Sequence, residues 1–179
     1  LNQLIIKSKN NPSNITLLLD LARIASRANN IEVEISSLEK LLILKNTPKI
    51  KSLLAQAIVR KANGQVISKA QQLIKEALKE NPFDPGANFL SGLALSQIGD
   101  EKQAFEIWVK LYNNTSVDDS WKKNLEINIK IAANPATNAI TEVGIKGSKK
   151  IVLLIIFLNG PIKRGCEPDQ IYNFQSAHA

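Results

Sequence analysis

An all-α fold made of repeated helix pairs follows from three features of this 179-residue sequence. Apolar residues recur at three- and four-residue spacing, which places them on one face of a helix. Chain-breaking residues return at a nearly fixed interval, and no segment before Ala136 alternates apolar and polar residues over a strand's length.

Two interleaved series set the interval. Pro12, Pro48 and Pro82 lie 36 and 34 residues apart, and Asn30, Gly64 and Gly99 lie 34 and 35 apart. Roughly 34 residues is the length of a tetratricopeptide helix-turn-helix unit. A pair of this kind cannot bury its apolar face alone, so successive pairs stack and a last helix closes the open edge. The expected product is a right-handed superhelix of three helix pairs plus a capping helix.

Residues 1–13 form a lead-in segment. The first helix of repeat one is marked by Leu17, Leu18, Leu21, Ile24 and Ala25, and the second by Ile31, Ile35, Leu38, Leu41 and Leu42. Repeat two reads as Ile50, Leu53, Leu54, Ala57 and Ile58, then Ala70, Leu73, Ile74, Ala77 and Leu78. In repeat three Phe89, Leu90, Leu93 and Ala94 precede Ala104, Phe105, Trp108 and Leu111. Asp84 with Pro85 supplies an N-cap acceptor and a proline in the first turn, where a missing N–H is harmless. Gly99 suits a left-handed helix end, and Asp100 with Gln103 has the spacing of a capping box. Gly92 and Ala104 are small where the two backbones of repeat three are expected to touch. Asp118 or Asp119 then caps a seventh helix carrying Trp121, Leu125 and Ile129. The repeat domain is expected to run over 14–136, followed by an irregular or partly β tail over 137–179.

Composition narrows the function classes. Residues 47–80 carry seven Lys or Arg against two Asp or Glu and contribute most of the net charge of +7. Lys69, Lys75 and Lys79 sit at helical spacing and read as a solvated face. Nucleic-acid readers interleave Arg with aromatics, but the only arginines are Arg23, Arg27, Arg60 and Arg164, so no nucleic-acid partner is expected. Cys166 is the sole cysteine and His178 the sole histidine. Neither metal-ligand spacing nor a nucleophile–base set can be built from them, and no glycine-rich phosphate loop is present. The chain is therefore read as a binding protein and not an enzyme, with no cofactor and no metal. The longest uncharged run near the end, Ile151 to Ile162, is too short for a membrane-spanning helix of about 20 residues. The chain contains no Met and begins at Leu1, which reads as a fragment whose parent could carry a leader or anchor upstream.

A narrower likeness runs from Gly64 to Ile131. The succession Asn63-Gly64-Gln65-Val66, Ala70, Ala77-Leu78, Asn81-Pro82, Asp84-Pro85, Ala87, Phe89, Gly92-Leu93-Ala94, Gln97, Gly99-Asp100, Ala104, Trp108, Leu111 and Asp119-Ser120-Trp121 resembles the C-terminal repeat domain of the CcmI/CycH family of cytochrome c maturation factors. The resemblance implies a periplasmic holdase, tethered to the inner membrane through an anchor N-terminal to the repeats. Such a protein captures the C-terminal helix of apocytochrome c and passes the chain to the haem ligation machinery.

In a tetratricopeptide solenoid the groove is lined by one face of each first helix. Alignment on the turn markers puts Leu17, Asp20, Ile24 and Arg27 on that face, then Lys51, Leu54, Ile58 and Lys61, then Phe89, Leu93 and Ser96. This face is apolar with a basic fringe, suited to an amphipathic helix laid in a groove. Repeats that clamp the terminal carboxylate of chaperone tails place Lys and Asn where this chain has Asp20, Ile24, Leu54 and Ile58, which argues against that ligand. The alternative reading is a generic tetratricopeptide-repeat adaptor between proteins. Trp108 and Trp121, on a second helix and on the cap, are expected to pack in the core.

Overall fold

The computed structural model describes residues 1–114 and 121–133, and among these it is entirely helical. The helices are α1 (Asn2–Asn10), α2 (Ile15–Arg27), α3 (Ile31–Leu44), α4 (Pro48–Lys61), α5 (Ser68–Glu80), α6 (Pro85–Gln97), α7 (Glu101–Asn113) and α8 (Lys122–Ala133). Three pairs, α2 with α3, α4 with α5 and α6 with α7, make the closest contacts, and α8 packs on α7. This is the tetratricopeptide-like architecture the spacing predicts. The tail 137–179, with Cys166 and His178, lies outside the described residues, as do the capping candidates Asp118 and Asp119.

Local chemistry explains where the helices start. Asn14, Asn30, Thr47, Asp84 and Asp100 each accept a hydrogen bond from the backbone N–H three residues on, which satisfies a donor the helix itself leaves open. Asp84 is the most enclosed, 1% exposed, with Ala87 N donating to its Oδ1 at 2.8 Å. The Asp100 box differs from the expected form. The Gln103 amide donates to the Asp100 carboxylate, while the Asp100 N–H is already bonded to Leu95 O at 3.0 Å.

That last bond belongs to a motif repeated three times. α2, α4 and α6 each end on a left-handed residue, Asn29 (φ 53°), Asn63 (φ 52°) and Gly99 (φ 88°). In each, the N–H of the next residue reaches back five positions: Asn30 to Ala25, Gly64 to Val59 and Asp100 to Leu95. This is the Schellman closure, in which Asn is the usual substitute for Gly. The equivalent turn residues are therefore Asn29, Asn63 and Gly99, not Asn30, Gly64 and Gly99. Asn30 is the N-cap of α3, and Gly64 (φ 89°) is a second left-handed residue in the longer α4–α5 turn. The correction shifts repeats one and two by one residue against repeat three, and the shift rotates the first-helix face.

The lead-in segment is helical. Asn11 N bonds Lys7 O and Asn14 N bonds Asn11 O before α2, as Asn81 N bonds Ala77 O and Asp84 N bonds Asn81 O before α6. The shared Asn-Pro dipeptides 11–12 and 81–82 carry the same turn, so α1 stands to α2 as α5 stands to α6.

One continuous apolar core runs from Leu18 in α2 to Leu125 and Ala132 in α8. Trp108 is 2% exposed, stacks on Phe89 with ring centroids 6.0 Å apart, and donates its indole N–H to Phe89 O at 3.1 Å. Gly92 is small because this indole lies on its Cα: an added Cβ would stand 2.5 Å from Trp108 Nε1. The close approach is side chain to backbone, not the expected meeting of two backbones. Trp121 packs against the same core, and α8 is held further by Tyr112, which donates to Glu126 at 2.7 Å beneath the Lys122 ammonium.

Candidate functional site

Most of the predicted first-helix face is buried, in repeat three, whose register is unchanged, as well as in the shifted repeat two. Leu54, Ile58, Phe89 and Leu93 are 2, 5, 2 and 6% exposed and belong to the core. They are closed to a ligand because α4 is walled by α3, α5 and α6, and because Phe89 faces the Trp108 indole of its own pair. Lys51 is also enclosed. Its ammonium is shared between Glu80 and Glu76 of α5, so it ties a pair together and is not available to steer a partner. The Glu80 hydrogen bond holds its pKa above the ordinary lysine value. Lys61 is exposed but bonded to Glu32 of α3 at 2.9 Å. Ser96 is buried and donates to Glu101 at 3.0 Å across the α6–α7 turn. On α2, Leu17, Asp20 and Ile24 are half-buried and Arg27 is exposed.

Among the described residues a cleft of about 380 Å³ lies between α2 and α4 on the first-helix side. Ile15, Leu19, Ile50 and Leu53 give it apolar walls, and Thr16 and Thr47 stand at its edge. Arg23, Lys45, Lys49 and Asp20 supply its charged groups. Arg23 Nη2 donates to Asp20 Oδ1 at 2.7 Å, whereas its Nε has no acceptor. Burial pushes the Lys49 ammonium below the usual lysine value, and the Asp84 carboxylate opposes this. The first turns of α2 and α4 both border the cleft, and helix N-termini carry partial positive charge. By contrast α4 and α6 are in close contact, with Ser52 filling the space beside Gly86, where an added Cβ would meet Ser52 Oγ at 3.3 Å.

Of the predicted face, only Asp20 borders this cleft. Leu19, Arg23, Ile50 and Leu53 were missed because each lies one residue before a predicted position. The signal that finds them is the caps: Asn29 and Asn63 preceding Asn30 and Gly64 set the true register.

An ion pair and an amide clamp join the repeats. Arg60 of α4 pairs with Glu34 of α3 deep in the structure, with side chains 7 and 3% exposed. Burial pushes the Glu34 carboxyl above the ordinary value of 4.5, against the opposing pull of Arg60 and Ser26. Between repeats two and three the Gln97 side chain clamps the α4–α5 turn: Val66 N donates to its Oε1 at 2.9 Å, and its Nε2 donates to Gly64 O at 2.7 Å. Among the described residues no group of three or more His, Cys, Asp or Glu is placed to hold a metal ion. No helix among them is long and apolar enough to cross a membrane.

No protein-family model matches the chain. It is 30% identical over 118 residues to the cytochrome c-type biogenesis protein CycH of Rhizobium meliloti (strain 1021), a match covering 65% of this chain and 31% of that protein. It is 29% identical over 103 residues to the protein of the same name from Bradyrhizobium diazoefficiens, covering 58% of this chain and 28% of that protein. The chain therefore spans less than a third of the length of the curated relatives it matches.

Proposed function

We propose, from the premise that this chain belongs to the CcmI/CycH family of cytochrome c biogenesis factors, that it is the polypeptide-binding part of a c-type cytochrome maturation protein. Its ligand is the C-terminal helix of apocytochrome c, which it holds until the haem ligation machinery receives the chain. The parent acts in the periplasm, tethered to the inner membrane through an N-terminal anchor. The observation that carries this reading is the α2–α4 cleft, an open apolar site on the side of the first helices. Its volume falls at the low end of small-ligand pockets, about 300–1,000 Å³. It therefore seats side chains projecting from a helix laid across α2 and α4.

The physics of holding follows from that geometry. Apolar side chains of an unfolded cytochrome gain about 25 cal/mol for each Å² withdrawn from water. The same side chains would otherwise drive association between unfolded chains. No covalent step is required of the repeat protein, in keeping with a non-catalytic accessory role.

The test uses titration calorimetry with a C-terminal helix peptide of a c-type cytochrome from the same cell. Leu19→Asp, at a half-buried cleft position, should weaken binding by more than about 1.4 kcal/mol, a factor of ten, and leave the helical circular-dichroism signal unchanged. Unchanged affinity for this variant would remove the ligand from the cleft. Steep loss of binding to an unrelated polynucleotide with added salt, and no peptide binding, would favour a nucleic-acid partner instead.

A further inference from the structure

We propose that the end of the solenoid holding the α3–α4 and α5–α6 turns docks on an anionic lipid surface. Such docking is independent of the helix-binding reading above. Short connections make successive helices antiparallel, so the last turns of α1, α3 and α5 lie at the same end as the first turns of α2, α4 and α6. The contacts agree. Lys51 in the first turn of α4 bonds Glu80 at the end of α5, and Ile15 of α2 lines one cleft with Lys45 and Lys49. This end exposes three large apolar side chains, Ile43 at 84%, Leu44 at 41% and Phe83 at 73%. Lysines stand among them: Lys7 and Lys9 in the last turn of α1, Lys79 in that of α5, and Lys45 directly after Leu44. All four are exposed, and none is paired with a carboxylate among the described residues. The carboxylates here are already committed, since Glu76 and Glu80 share Lys51 and Asp84 is the buried cap of α6.

A solvated lysine face accounts for the charge but not for an isoleucine and a phenylalanine standing almost wholly in water beside it. Grouped exposed apolar residues mark protein or membrane contacts, and the charge selects between them. These side chains project from a helix end and a turn, so a rigid protein would need a matching cavity for each, whereas a headgroup layer yields around them. Lysine stems lie along such a boundary while their ammonium groups reach the phosphates, and clustered lysines are drawn to anionic leaflets. The opposite end lacks this pairing: Ile98 is 77% exposed, but Asp100 and Glu101 stand close behind it and would be repelled. Docking at the lysine-rich end lays the α2–α4 cleft beside the bilayer, since Lys45 borders both.

The experiment sediments the full chain with phosphatidylcholine vesicles, with and without phosphatidylglycerol. Binding is expected only where phosphatidylglycerol is present and should weaken as salt is added. Phe83→Ser should weaken it about tenfold, and Lys45→Gln/Lys79→Gln about thirtyfold. Helical circular dichroism should be retained in both, because all three positions are exposed. Ile98→Ser, at a similarly exposed position of the opposite end, should bind as the native chain does. Equal sedimentation with and without phosphatidylglycerol, or none with either, overturns the proposal. So does a loss in Ile98→Ser that matches the loss in Phe83→Ser, which would take the contact away from this end. If light scattering shows a dimer that Phe83→Ser disrupts, and vesicles are not bound, the patch joins two copies and the proposal is likewise overturned. Peptide binding at the cleft is measured without lipid, so each of these outcomes leaves the helix-binding reading to its own test.

Discussion

Gly92→Ala should be strongly destabilising even though it exchanges a helix-interior glycine for the best helix former. On an open helix surface the exchange would gain about 1 kcal/mol. Here the new methyl carbon would lie 2.5, 2.8 and 2.9 Å from Nε1, Cε2 and Cδ1 of Trp108. The indole cannot retreat cheaply, because it is 2% exposed, stacked on Phe89 and bonded to Phe89 O. Overpacking a filled core costs about 1–3 kcal/mol. Moving the ring also breaks the indole bond and leaves a buried N–H without an acceptor, about 1–3 kcal/mol more. Set against the helix-propensity gain, the net loss is about 1–5 kcal/mol. For a chain of this size that lowers Tm by about 2–4 °C per kcal/mol. Urea and thermal unfolding followed by circular dichroism measure it directly. The decisive comparison repeats the exchange in a Trp108→Leu background, where the clash is gone and Gly92→Ala should be neutral or stabilising. Equal costs in the two backgrounds would refute the assignment of the indole to the Gly92 backbone, since contacting residues must couple.

Arg60→Met leaves the buried Glu34 without its counter-charge and should cost about 3–5 kcal/mol at neutral pH. Because burial raises the folded pKa of Glu34 above 4.5, the folded state binds the extra proton in the window just above that value. Stability from this group therefore grows as pH falls through the window, and urea unfolding should show the Arg60→Met deficit shrinking on acidification; a deficit that widens contradicts the direction. Gln97→Ala should lose both bonds to the α4–α5 turn and strand the buried Val66 N–H, at a cost of about 1–3 kcal/mol. Hydrogen exchange should show protection falling at Val66, and unchanged protection there would show that the clamp contributes nothing to the turn.

Most of the fold was legible because its determinants are local. Helical spacing placed all three pairs and the cap, and Asp84 and Asp100 marked starts that the structure bears out with direct hydrogen bonds. The binding face was less legible because it depends on phase. A helix turns by about 100° per residue, so taking Asn30 and Gly64 as the equivalents of Gly99 rotated the predicted face of repeats one and two, and in repeats two and three that face, Leu54, Ile58, Phe89 and Leu93, lies in the core. The slip also passed over Leu19, which is half-buried beside the α2–α4 cleft. The role of Lys51 was not legible either, since its partners Glu76 and Glu80 lie a helix away and nothing in the local sequence marks the pairing. Helix α1 was missed because Leu4 and Ile5 are followed by no apolar residue a turn later, where Ser8 stands. The Asn-Pro dipeptides shared by 11–12 and 81–82 were the available signal.

The central claim is that a helical segment of apocytochrome c binds on the first-helix side of the repeats, over the α2–α4 cleft. Photo-crosslinking tests it most directly, with a benzophenone amino acid placed one at a time at four exposed positions. Thr16 and Lys45 border the cleft, and Lys75 and Lys79 stand on exposed positions of the second helix α5. The account predicts that a C-terminal helix peptide of a c-type cytochrome is captured from Thr16 and Lys45 and not from Lys75 or Lys79. Capture from α5 alone, with the peptide bound but no product at the cleft, would contradict it.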